Sequence, residues 1–120
     1  MSEEDVLSFI SGSISSVWAL ELLLLLKRGA PDGRREDELV RELRSSTTAV
    51  SQSLRKLYDA GLVVAASGLY YYQPARAPLD QLVTETERLY ALKPAAVVKA
   101  IVTAKNESLQ AFANSFKLKE

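Results

Sequence analysis

The chain has 120 residues, 48% of them apolar and 25% charged, a mixture that suits one soluble globule with its own core and not a disordered or fibrous segment. It contains no cysteine and no histidine, which removes disulfides, thiol redox switching, imidazole acid–base catalysis and the usual zinc sites. Fifteen basic and fifteen acidic side chains cancel, but unevenly: residues 1 to 26 hold four acids and no base, and residues 27 to 57 hold eight bases against five acids.

Residues 4 to 28 read as one N-terminal helix with Gly12 as the place for a bend, because Val6, Phe9, Ile10, Ile14, Val17 and Trp18 recur at three- and four-residue spacing. The run Leu22 to Leu26 covers every side of such a helix, so it must be buried nearly all round, either at the centre of the domain or partly against a second subunit. The apolar stretch from Val17 to Leu26 is interrupted by Glu21 and is about half of a bilayer span. The opening Met-Ser-Glu-Glu-Asp is acidic where a secretory signal is basic. A cytoplasmic protein without a membrane segment is expected.

The breakers Gly29-Ala30-Pro31-Asp32-Gly33 predict a loop, and Glu36 to Leu43 a short helix with Leu39, Val40 and Leu43 inward and acids in its first turn. Ser45 and Ser46 make a tight polar turn. Ser46 or Thr47 caps a further helix that runs to about Ala60 and stops at Gly61. Leu62 to Ala66 and Leu69 to Gln73 are β-rich runs joined by Ser67-Gly68, a hairpin that is too small to stand alone and must lean on the helices. Within it Tyr71 points away from Tyr70 and Tyr72.

Pro74 and Pro78 bracket a linker. Leu79, Leu82, Val83, Leu89 and Tyr90 then mark a helix, Pro94 opens another through Ile101, and Leu109, Phe112, Ala113 and Phe116 stripe a third. The C-terminal helices therefore span about residues 79 to 117. No internal repeat interrupts this single-domain organisation over residues 1 to 120.

One segment carries chemistry. At about 100° per residue, Val50, Leu54 and Leu57 share a narrow arc that faces the core, while Thr48, Gln52, Arg55 and Asp59 lie opposite with Ser51 and Lys56 on the flanks. Small hydroxyls near the N-terminus of such a helix let its backbone approach phosphates, and Gln and Arg can pair bidentately with adenine and guanine edges. Thr47, Thr48, Ser51, Gln52 and Arg55 are the candidate base-side contacts, and Arg44, Lys56, Arg35 and Arg34 are candidates for the phosphates. Alternatively the hydroxyls cap and solvate a surface helix, and Arg34 and Arg35 balance Glu36, Asp37 and Glu38.

The order of short helix, turn, Val-Ser-x-x-Leu-x-x-Leu helix, Ala-Gly-Leu-Val and hairpin over residues 36 to 73 resembles MarR-like and ArsR-like winged-helix transcription regulators. The resemblance implies a mainly α winged helix-turn-helix with a small two-stranded β-wing and additional N- and C-terminal helices. It also implies sequence-specific binding of duplex DNA, with a recognition helix over about 47–60 in the major groove, and a homodimer paired through flanking helices. The hairpin departs from that pattern, since no basic residue stands between Leu62 and Gln73.

Two other readings stay open. A winged helix that docks protein and not DNA accords with the zero net charge and the uncharged wing. An effector sensor would hold an apolar ligand between the first helix and the C-terminal helices, lined by Trp18, leucines and tyrosines. No enzyme is expected, because Glu36, Asp37 and Glu38 are consecutive and cannot converge on one atom, and no nucleophile has an evident base. No cofactor and no metal site is predicted.

Overall fold

In the computed structural model, which describes residues 1–104, the chain forms α1 (Glu3–Ser13), α2 (Val17–Gly29), α3 (Glu36–Leu43), α4 (Thr47–Asp59), β1 (Val63–Ala66), β2 (Leu69–Tyr72), α5 (Ala77–Leu92) and α6 (Pro94–Ala104). This is the expected mainly α winged helix-turn-helix with added terminal helices. The stripe Leu109, Phe112, Ala113 and Phe116 lies outside the described residues.

The single helix expected over residues 4 to 28 is two helices, bent by 107°. The break falls at Ile14 to Ser16 and not at Gly12, which stays inside α1. Its cause is a change of hydrogen-bond partners. Ile14 ends α1 by donating its N–H to the Ile10 carbonyl at 2.9 Å, and its buried side chain draws the turn inward. Ser16 is extended, and its Oγ accepts the Ala19 N–H at 3.0 Å, so a fresh helix begins there. At the other end of α1, Ser2 and Asp5 form a reciprocal capping box.

Helix α2 is the centre of the molecule. Leu20, Leu22, Leu23, Leu24 and Leu26 are fully buried and Leu25 partly so, packed by α3, α4 and β2 of the same chain. Of the two burials open for the leucine run, the intramolecular one holds. Helix α5 closes the far side of α2 through polar ties at the rim: Lys27 Nζ to Glu87 Oε1 at 3.0 Å, and Tyr90, whose hydroxyl donates to Glu21 Oε1 at 2.7 Å. The Tyr90 phenol is held above its ordinary pKa first by that hydrogen bond and then by burial.

The wing is an antiparallel pair with Val63 opposite Tyr72 and Ala66 opposite Leu69. Ser67 and Gly68 both have positive φ, 54° and 78°, the turn geometry whose twist matches paired strands. The loop expected at residues 29–33 hides a further edge. Arg34 exchanges two backbone hydrogen bonds with Tyr70, at 2.9 and 2.8 Å, and so extends the wing on the other side of β2.

The tyrosines alternate as expected: Tyr70 and Tyr72 pack on the core, and the Tyr71 ring lies over Gly33, where a Cβ would come within 2.6 Å of it. Tyr72 anchors the wing to α5 by donating its hydroxyl to Asp80 Oδ1 at 2.6 Å. Helix α5 starts two residues earlier than the apolar pattern suggests, because Pro78 fits the first turn of a helix better than a linker.

Leu23→Ala is expected to destabilise the fold by about 2–5 kcal/mol in urea unfolding, and Leu25→Ala by clearly less, since only the first leaves a closed cavity. Burial, seconded by the Asp80 hydrogen bond, pushes the Tyr72 phenol well above its ordinary value. The unfolded chain therefore ionises first, and Tyr72 contributes stability that is complete below about pH 10 and declines as pH rises beyond it. Tyr72→Phe should flatten that alkaline decline in urea midpoints taken from pH 8 to pH 11.

Candidate nucleic-acid interface

The site is built on α4. Ser46 is its cap: the residue is extended, and its Oγ accepts the Ala49 N–H at 3.0 Å. Gly61, at φ 76°, ends the helix in the left-handed conformation that a side chain would strain, and passes the chain to the wing. Between these ends Val50, Ser53, Leu54 and Leu57 are buried against the core. The rotation of α4 about its own axis is thereby fixed.

Every predicted contact residue lies outside that buried arc. Thr47, Thr48, Ser51, Gln52, Arg55 and Lys56 on α4 are exposed, and so are Arg44 in the turn before it and Arg35 at the start of α3. Tyr58 belongs with them and was overlooked by the sequence reading. It is 55% exposed and stands seven residues after Ser51, on the same outward side. The heptad relation to Ser51 was the available signal, but an aromatic residue beside Leu57 reads as core.

The cations divide into committed and uncommitted. Arg34 is spent on Glu38, at 3.3 Å, and on Glu42, and the Glu42 hydrogen bond in particular holds its guanidinium above the ordinary pKa despite partial burial. Of the acids expected to balance Arg34, Glu38 does so, joined by Glu42, which leaves Arg34 the most committed of the candidate phosphate contacts. Arg35 sits 3.4 Å from Asp37, and Arg55 sits 3.5 Å from Asp59 one turn on. Both pairs are open to water, where such bridges contribute at most about 1 kcal/mol, so both cations can be recruited by a stronger anion. Arg44 and Lys56 form no ion pair among the described residues.

Arg44 is also held in an unusual backbone state. It ends α3 at φ 53° and ψ 42°, donating its N–H to the Arg41 and Val40 carbonyls. This conformation sets the tight turn between α3 and α4, and with it the angle at which α4 leaves the body. The exposed tip of the wing, Ala65 to Gly68, carries no charge.

One side of α4 also walls a cleft of about 770 Å³ that reaches the α1–α2 junction and α6. The pocket expected from sequence, lined by Trp18, leucines and tyrosines, is corrected by this geometry. Trp18 is there, but the rest of the lining is largely serine together with α4 side chains, because the leucines are consumed by the core.

Residues 19–64, from α2 through α3 and α4 into β1, match the family model described as bacterial regulatory protein, arsR family. No curated protein and no solved structure matches the chain. Over these residues the chain is similar to arsR-type regulators, the second of the two families suggested by its motif.

Loss of the cap is expected to weaken the fold measurably: Ser46→Ala should cost about 1 kcal/mol in thermal unfolding followed by circular dichroism. Thr48→Ala, at an exposed position without a side-chain hydrogen bond among the described residues, should stay within about 0.5 kcal/mol of the parent.

Proposed function

We propose that this winged helix-turn-helix protein of arsR type is a transcription regulator that binds duplex DNA sequence-specifically as a homodimer, with α4 in the major groove. The observation that carries the reading is the division of α4 into a buried aliphatic arc and an exposed arc of hydroxyl, amide and guanidinium groups. Gln52 and Arg55 are the base readers, suited to adenine and guanine edges. Thr47, Thr48 and Ser51 let the first turn approach the sugar-phosphate backbone closely, with the helix dipole favouring a phosphate there. Arg44, Lys56 and Arg35 supply the contacts that do not depend on sequence.

A twofold dimer sets two such helices about 34 Å apart, one turn of duplex, so that its operator is an inverted repeat. The uncharged wing assigns minor-groove contact no part in this scheme. It does favour a second reading, in which the wing and α4 dock a protein surface and the zero net charge is the relevant feature. No bond-making step belongs to either reading.

Fluorescence anisotropy with pooled genomic duplexes across a salt series separates them. The DNA reading predicts affinity that falls linearly in log–log form with salt, and a slope that decreases by about one for Lys56→Gln. On a selected duplex, Arg55→Ala is expected to cost about 1–3 kcal/mol and to relax preference at one base pair. Absent or salt-insensitive binding supports the protein-docking reading instead.

A further inference from the structure

Both helices of the helix-turn-helix end on the same pair of hydrogen bonds. At the end of α4 the Gly61 N–H donates to the Tyr58 carbonyl and the Leu62 N–H to the Leu57 carbonyl, each at 3.0 Å. At the end of α3 the Arg44 N–H donates to the Arg41 carbonyl at 3.3 Å and the Ser45 N–H to the Val40 carbonyl at 3.1 Å, the same three- and five-residue steps. The residue at the bend is left-handed in both, with φ 76° at Gly61 and φ 53° at Arg44. One stop is therefore the glycine that this geometry favours, and the other is an arginine.

Left-handed backbone brings a Cβ against the following carbonyl, a cost that glycine escapes. Crowding by the rest of the fold does not separate the two stops, since a Cβ at Gly61 would meet Ala75 at an ordinary 3.5 Å. Among the described residues nothing offsets that cost at Arg44, whose side chain is exposed and forms no ion pair. A long cationic side chain held against its backbone preference marks a use outside the fold. Arg44 stands three residues before Thr47, the first residue of α4, at the corner where α3 passes the chain to that helix.

We propose that Arg44 is the residue at which stability is given up for duplex affinity: its left-handed backbone closes the α3–α4 turn, and its guanidinium, placed at that corner, clamps a duplex phosphate and sets how α4 enters the groove. The assignment rests on the DNA-binding reading. It separates Arg44 from Arg35, which is extended, and from Lys56, which is helical, because neither of those carries a backbone cost.

Backbone and charge are tested separately on the full chain, by urea unfolding and by anisotropy with pooled genomic duplexes across a salt series. Arg44→Gly relieves the backbone and removes the charge. It is expected to raise the urea midpoint by about 0.5 M and to lower the slope of log affinity against log salt by about one per bound subunit. Arg44→Gln removes only the charge, so the slope should fall in the same way with no rise in midpoint. Arg44→Lys, which keeps a cation on the same strained backbone, should restore the slope at the parent midpoint. Ser67→Gly relieves the other left-handed residue that is not glycine among those described, on the uncharged wing tip, and should leave the slope at the parent value.

Parent-like duplex binding by Arg44→Gly and Arg44→Gln, no rise of midpoint in Arg44→Gly, or an equal loss of slope in Ser67→Gly overturns the proposal and leaves the DNA reading standing. A parent chain that holds no duplex at low salt sinks the DNA reading, and the phosphate assignment with it.

Discussion

The burial of the α2 leucine run against the inner arc of α4 is the contact on which the rest of the molecule depends. A helix with leucine on every side cannot sit at a surface, so the other elements must enclose it. Helix α4 does so with Val50, Leu54 and Leu57, and this choice leaves Thr47, Thr48, Ser51, Gln52, Arg55, Lys56, Tyr58 and Asp59 to face outward. The candidate contact surface is therefore a by-product of packing. Rotating α4 by one residue would bring either Ser51, Arg55 and Tyr58 or Ala49, Gln52 and Lys56 into a leucine environment, and the cation buried without a partner would cost several kcal/mol.

Much of this was legible from the residues. Helices α3 and α4, the Gly61 stop, the hairpin turn and the alternation of the three tyrosines follow from local rules: period, cap, turn type. What was not legible depended on contacts between distant residues. The 107° bend sits at Ile14 to Ser16 because a buried isoleucine and a serine cap act together there, whereas a glycine is the usual suspect. The third wing edge at Arg34 is two backbone hydrogen bonds to Tyr70, which no side-chain pattern reports. Eight of the nine candidate contact residues are exposed and Arg34 is half-buried, but sequence could not tell which arginines were already taken. Arg34 is held by Glu38 and Glu42, one and two turns along α3, and only a structure distinguishes that from a free cation.

Charge is organised to similar effect. The net charge is zero, yet acids gather on α1 and on the first turn of α3, where they serve the helix dipoles, and uncommitted bases gather around α4. A wing without cations concentrates any duplex contact on a single helix and the turn before it.

Amide chemical-shift mapping by NMR on addition of an inverted-repeat duplex tests the central claim most directly. The account predicts the largest perturbations at residues 44 to 58, with the wing tip at residues 65 to 68 nearly unmoved. Perturbations centred on the wing or on α1, with the outward face of α4 left unchanged, would contradict it.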